Sequence, residues 1–158
     1  MSGHGGFADL VGPGAILIGL KVASKDALFE ELAAAAATVT GLPATTIVER
    51  VRERESLGAT GFGQGAAIPH ARLAGLDAVT AVVAHLAAGV DYGALDTEAV
   101  DVVVLLLSPE SAGADHLKAL AKVSRALRDP DTVAAMRAAG DAQALRAVIG
   151  GALVGQHG

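Results

Sequence analysis

One run constrains this chain's fold more than any other: Val100–Leu107, VDVVVLLL, which is apolar at every position but one. A run so nearly continuous suits a strand buried on both faces of an α/β sheet, and Ser108-Pro109 ends it. Val79–Leu86 reads as a second strand and Ala15–Leu20 as a shorter first one. Between them lie helices. Ser24 offers an N-cap hydroxyl, Leu28, Leu32, Ala35, Ala36 and Val39 recur at helical spacing, and Gly41 stops the run. Pro43 opens a second helix with Ile47, Val48 and Val51 on one side, ending in the alternating charges of Glu49–Glu55. Three more helices close the chain. The first spans about 115–128 with Leu117, Leu120, Ser124 and Leu127 on one side. The second starts at Asp129-Pro130 and ends at Gly140; the third is capped by Asp141 and buries Leu145, Val148 and Ile149. The order predicts one α/β domain over 15–150, a mixed sheet flanked by helices on both faces, between a loose lead-in at 1–14 and a tail at 151–158.

Composition removes several function classes. Hydrophobic residues make up 52% and charged residues 18%, enough to bury a core, so a disordered chain is excluded. A net charge of -5 and 3% aromatic residues argue against nucleic acid as the main partner. With no Cys there are no disulfides, thiolate nucleophiles or Cys-bound zinc, which fits a reducing cytoplasm. No apolar run reaches the roughly 18 residues of a spanning helix, so membrane insertion is not expected. Before its first apolar stretch the N-terminus carries no Lys or Arg, unlike a signal peptide.

Several text-string motifs fail on context. Gly61-x-Gly63-x-x-Ala66 matches a dinucleotide fingerprint, but a charged helix precedes it and Pro69 follows. Gly63-Gln64-Gly65 lacks the Lys and hydroxyl of an NTPase phosphate loop. Neither a serine-hydrolase elbow nor an H-E-x-x-H pair is present.

What survives is the segment SLGATGFGQG, with four Gly in eight residues from Gly58 to Gly65, running into Ile68-Pro69-His70. So many glycines argue against a helix or regular strand there. A neutral imidazole is a competent nucleophile near neutral pH. Phosphoryl transfer to it needs positioning and N–H or cationic groups around the phosphoryl oxygens, which glycine backbone amides can supply. Pro69 fixes the backbone before the nucleophile.

The wording RESLGATGFGQGAAIPHARL resembles the signature of the enzyme IIA proteins of the phosphoenolpyruvate-dependent phosphotransferase system, fructose/mannitol class. The stretches GVDYGALDTEAVDVVVLLLSPE and ADHLKALAKVSRALRD are similar to the same family's central and C-terminal blocks, in register from about Lys21 to Ile149. Length and wording look most like the bacterial nitrogen-regulatory branch. The resemblance implies a mixed sheet flanked by helices, no cofactor, and a phosphoryl group accepted from an HPr-like carrier. It places the phosphorylated residue on His70, an active-site Arg on Arg54 and a second active-site His on His116, with Thr60, Gly61, Gly63, Gln64 and Gly65 in the supporting loop. Position 64 is often Asn or Glu in relatives, and Ala59 stands where many carry Ser. Sensor kinases, potassium transporters or an enzyme IIB are the downstream partners it implies.

Read without the resemblance, His70 is a surface residue after a Pro, Arg54 one more solvated charge, and His116 a helix-start residue facing solvent. His85 sits in a strand and serves packing; His4 and His157 are tail residues. A metal held by His70 and His116 lacks a third ligand in register. Leu57, Phe62, Ile68 and Ala71 are expected to form a partly apolar docking patch around the nucleophile. Two other functions stay open: a sugar-specific enzyme IIA that passes phosphate to an enzyme IIB, and a non-catalytic regulatory binding module.

Overall fold

The computed structural model describes residues 6–93 and 99–150. A 3-10 turn at Ala8–Leu10 leads into β1 (Ile16–Leu20), α1 (Lys25–Thr40) and α2 (Ala44–Glu55). Three short strands follow, β2 (Gly61–Gly63), β3 (Ala66–Ala67) and β4 (His70–Leu73). Then come the long strands β5 (Thr80–Val90) and β6 (Val100–Pro109) and the helices α3 (Ala114–Arg128), α4 (Pro130–Ala138) and α5 (Ala142–Ile149). The sheet runs β1-β5-β6-β3-β2, and β4 also pairs with β6. It is mixed: β5 and β2 lie antiparallel to β6 and β3, while β1 runs parallel to β5 and both β3 and β4 run parallel to β6.

β6 is the central strand, as its apolar run requires. Val102–Ser108 is buried at every position, so side chains on both faces of the sheet are covered. Helix ends fall where their capping chemistry puts them. Ser24 Oγ accepts from Ala27 N at 3.0 Å, Gly41 closes α1 at φ 79°, and Asp141 caps α5 through Ala144 N.

Three expectations need correction. The Gly-rich segment does form strands: β2 and β3 pair as a short antiparallel hairpin turning at Gln64-Gly65. The lead-in is not loose throughout, because Phe7 and Val11 are buried and Phe7 N donates to Ile149 O at 2.7 Å. In α3 the buried side comprises His116, Ala119, Val123, Ala126 and Leu127, while Leu117 is 62% exposed. Apolarity alone favoured Leu117, but the polar His116 turns inward because Ser108 waits beneath it with a hydrogen bond. His4, His157, the tail at 151–158 and positions 94–98 of the central block lie outside the described residues.

Candidate active site around His70

Pairing along β6 places the site. β3 and β4 occupy successive stretches of one edge of β6, with Ala66 opposite Val102 and His70 opposite Leu106. Ile68-Pro69 is the break between them, bridged by Pro69 O, which accepts from Leu106 N at 2.9 Å. His70 is therefore the first residue of a strand, not a free loop residue. Residues in register share a sheet face, and so do residues two apart. His70, Arg72 and Ser108 accordingly stand on one face, since Arg72 pairs with Ser108.

Over that face come the last turn of α2, with Arg54, and the first turn of α3, with His116. Together they enclose an open cleft of about 620 Å³ whose walls include Arg50, Arg54, Leu57, His70, Arg72 and His116. The two imidazole rings lie 5.7 Å apart, tilted by 47°. His70 Nδ1 lies 2.8 Å from Ile68 O. A carbonyl only accepts, so Nδ1 carries the proton and Nε2 keeps the ring's lone pair. Burial pushes the His70 pKa below 6.5, against the opposing pull of the Ile68 carbonyl; nearby Arg54 adds to the lowering and Glu55 works against it. His116, only 6% exposed, is lowered by burial and by the charges of Arg72 and His70. Both rings are neutral at neutral pH.

Arg54 donates through Nη1 to Gly58 O at 3.0 Å, the only hydrogen bond its side chain makes among the described residues, so the rest of its fork is left to the cleft it lines. The next residue, Glu55, fixes the segment that follows. Its carboxylate accepts from Thr60 N at 2.8 Å, Thr60 Oγ1 at 2.6 Å and Tyr92 Oη at 3.4 Å, and pairs with Lys25 Nζ at 2.9 Å. Lys25 also donates to Tyr92 O at 3.0 Å and lies 4.2 Å from the Tyr92 ring centroid. Burial pushes the Tyr92 hydroxyl well above its ordinary pKa, so it remains a protonated donor. Thr60 O in turn accepts from Ile68 N at 3.0 Å, tying this network to the strand break before His70.

Not every expected site residue gathers here. The turn at Gln64-Gly65 points away: Arg137 Nη2 donates to Gln64 O at 2.8 Å, and Gly65 O accepts from Asp101 and Val102. Four residues of β6 separate that register from Leu106 beside His70, about 13 Å of strand. Gly61 and Gly63 pair with Ala67 and Ala66 in the hairpin, so the glycines build a strand edge, not an amide cradle. The docking patch also changes. Ile68 and Ala71 are 3% and 6% exposed, because the β3–β4 edge is packed between β6 and the helices, and Phe62 is half-buried against the core. Leu57, at 82%, stays exposed beside the cleft. His85 lies on β5, and its Nδ1 is buried without a hydrogen-bond partner. Sequence reading missed Glu55, Arg72, Tyr92 and Ser108. For Arg72 the signal was present: it stands two residues after His70, hence on the same strand face.

An imidazole with one nitrogen pinned and the other open to a cleft, beside a guanidinium, belongs to a protein that can carry an anionic group on histidine. Residues 10–151 match the family described as phosphoenolpyruvate-dependent sugar phosphotransferase system, EIIA 2. The chain belongs to this phosphotransferase family. It is 48% identical over 141 residues to a nitrogen regulatory protein of Bradyrhizobium diazoefficiens, covering 89% of this chain and 92% of that one. A nitrogen regulatory protein of Pseudomonas aeruginosa is 39% identical over 138 residues, covering 87% and 90%. The crystal structure of nitrogen regulatory protein IIA-Ntr from Neisseria meningitidis superposes with a TM-score of 0.85 at 30% identity, covering 90% of this chain and 97% of that one. Among the described residues no helix is long and apolar enough to cross a membrane.

Proposed function

We propose that this chain is a nitrogen-regulatory phosphocarrier whose His70 accepts a phosphoryl group on Nε2 from the phosphohistidine of an HPr-like carrier of the nitrogen type. The observation that carries the reading is the bond from His70 Nδ1 to Ile68 O, which leaves Nε2 as the nucleophile in the cleft. In the transfer the donor's P–N bond breaks as the P–Nε2 bond forms. The donor ring leaves neutral, and His70 takes up the positive charge its partner gives up. Ile68 O accepts from the now cationic ring, where a hydrogen bond is stronger than to a neutral one. Arg54 supplies a planar fork matched to phosphoryl oxygens, and removing such a donor costs about 10²- to 10³-fold in rate. His116 adds a neutral imidazole donor.

Nitrogen regulation is favoured over sugar transport by coverage. The nitrogen regulatory relatives match most of this chain, whereas a fructose-specific EIIA component of Haloferax volcanii matches 53% of it at 34% identity. A neutral His70 in an open cleft beside a guanidinium also argues against a purely non-catalytic binding module. Donor docking would fall on the exposed leucines that flank the cleft: Leu57 after α2 and Leu117 next to His116. Downstream partners would be sensor kinases or potassium transporters, with an enzyme IIB serving the transport alternative, and the site needs no cofactor or metal. Phosphorus–nitrogen NMR of the phosphorylated protein tests the chemistry. Coupling of phosphorus to Nε2 of His70 is expected; coupling to Nδ1, or to another residue, overturns it.

A further inference from the structure

Ser108 Oγ lies 2.7 Å from His116 Nδ1, and the two side chains are 0% and 6% exposed. A hydroxyl can donate or accept, so the distance alone leaves the direction open. Burial decides it. Among the described residues Ser108 Oγ has no partner besides His116. Were His116 to donate from Nδ1, the hydroxyl hydrogen of Ser108 would be buried with no acceptor. If Ser108 donates, only a lone pair goes unused, which is the less costly outcome.

We infer that Ser108 is a positioning residue for His116: its hydroxyl donates to Nδ1 and holds the ring in the tautomer whose Nε2–H serves the cleft beside His70. The consequence bears on the proposed phosphoryl transfer and rests on that reading. Phosphoryl oxygens accept hydrogen bonds only, so His116 aids them only with a proton on the nitrogen that faces them. In the other tautomer its Nε2 lone pair would repel them. Ser108 can do this because it stands on the same face of β6 as His70 and Arg72, directly under the first turn of α3.

Imidazole nitrogen shifts of the unphosphorylated protein test the tautomer whether or not His70 is ever phosphorylated. Expected is a single state of His116 with Nδ1 unprotonated and Nε2 protonated, averaging toward both tautomers in Ser108→Ala and restored in Ser108→Thr. A proton on Nδ1 in the wild type overturns the inference, and so does an unchanged ring in Ser108→Ala. Rates complete the test. Partners that orient a metal-bound imidazole are worth about 10-fold at the low end. Ser108 orients a metal-free imidazole by the same kind of bond, so Ser108→Ala should slow uptake by about that factor while adding nothing in a His116→Ala background. An equal loss in both backgrounds would mean that Ser108 acts other than through His116. Failure of His70 to take phosphate at all would sink the phosphocarrier reading and leave the tautomer result standing.

Discussion

Replacing Glu55 by Ala would remove the acceptor on which four groups converge: Lys25, both donors of Thr60, and Tyr92. The carboxylate is 7% exposed and Lys25 25%. Breaking a buried ion pair by deleting one partner costs about 3–5 kcal/mol. Lys25 lies nearer the surface and keeps its bond to Tyr92 O at 3.0 Å, so the cost falls to the lower side. Thr60 N–H and Oγ1–H lose their acceptor, each worth about 1 kcal/mol when water cannot replace it fully. About 3 kcal/mol for the ion pair and about 1 for each Thr60 donor give a loss of about 5 kcal/mol, and at about 2–4 °C per kcal/mol for a chain this long, Tm should drop by about 10–20 °C. Thermal and urea unfolding of wild type, Glu55→Ala, Lys25→Met and the double variant measure it. The double variant should be less destabilised than the singles add up to, by at least about 0.5 kcal/mol, because the two residues share one network. A Glu55→Ala protein within about 0.5 kcal/mol of wild type would refute the reasoning and make the network incidental.

Further outcomes follow from the same geometry. Gly65→Ala places a methyl 2.7 Å from Arg137 Nη2 and 3.2 Å from Asp101 Oδ1 at φ +78°; it should destabilise by about 1–3 kcal/mol yet leave phosphoryl uptake unchanged, and a lost rate in a folded variant would return the Gly-rich turn to the site. His70 and His116 are both held below 6.5, so between their folded values and 6.5 the unfolded chain binds more protons. Stability should therefore rise with pH through that window and fall on acidification, a slope that urea midpoints should show flattened in a His70→Ala, His116→Ala double variant. Leu57→Asp and Leu117→Asp should slow transfer from the carrier while unfolding within about 0.5 kcal/mol of wild type, as exposed positions do. If either melts early, that leucine belongs to the core.

Much of the fold was legible because its signals are local. VDVVVLLL announced β6; Ser24, Gly41, the Asp129-Pro130 pair and Asp141 set helix ends through hydrogen bonds within a few residues. What failed depends on distant partners. β2 and β3 contain only glycine, phenylalanine and alanine, without the β-branched residues that mark a strand, and they form because β3 pairs with β6 and β2 with β3. Ile68 and Ala71 looked available beside the nucleophile, but the edge they occupy is covered. Leu117 outranked His116 as a core residue until Ser108 supplied the polar partner that makes burial of an imidazole tolerable. Arg54, His70 and His116 were legible only through the family's wording, since each has an ordinary reading alone. The Glu55 network was not legible at all, because its partners stand up to 37 residues away from Glu55 and 67 apart along the chain from Lys25 to Tyr92.

Intact mass after incubation with phosphoenolpyruvate, enzyme I and an HPr-like carrier tests the central claim most directly. Wild type should gain the mass of one phosphoryl group and lose it again in acid, because an N–P bond breaks once its imidazole is protonated. His70→Ala, folded as judged by its unfolding curve, should gain nothing. No gain in wild type, an acid-stable gain, or an undiminished gain in His70→Ala would contradict a phosphocarrier acting through His70.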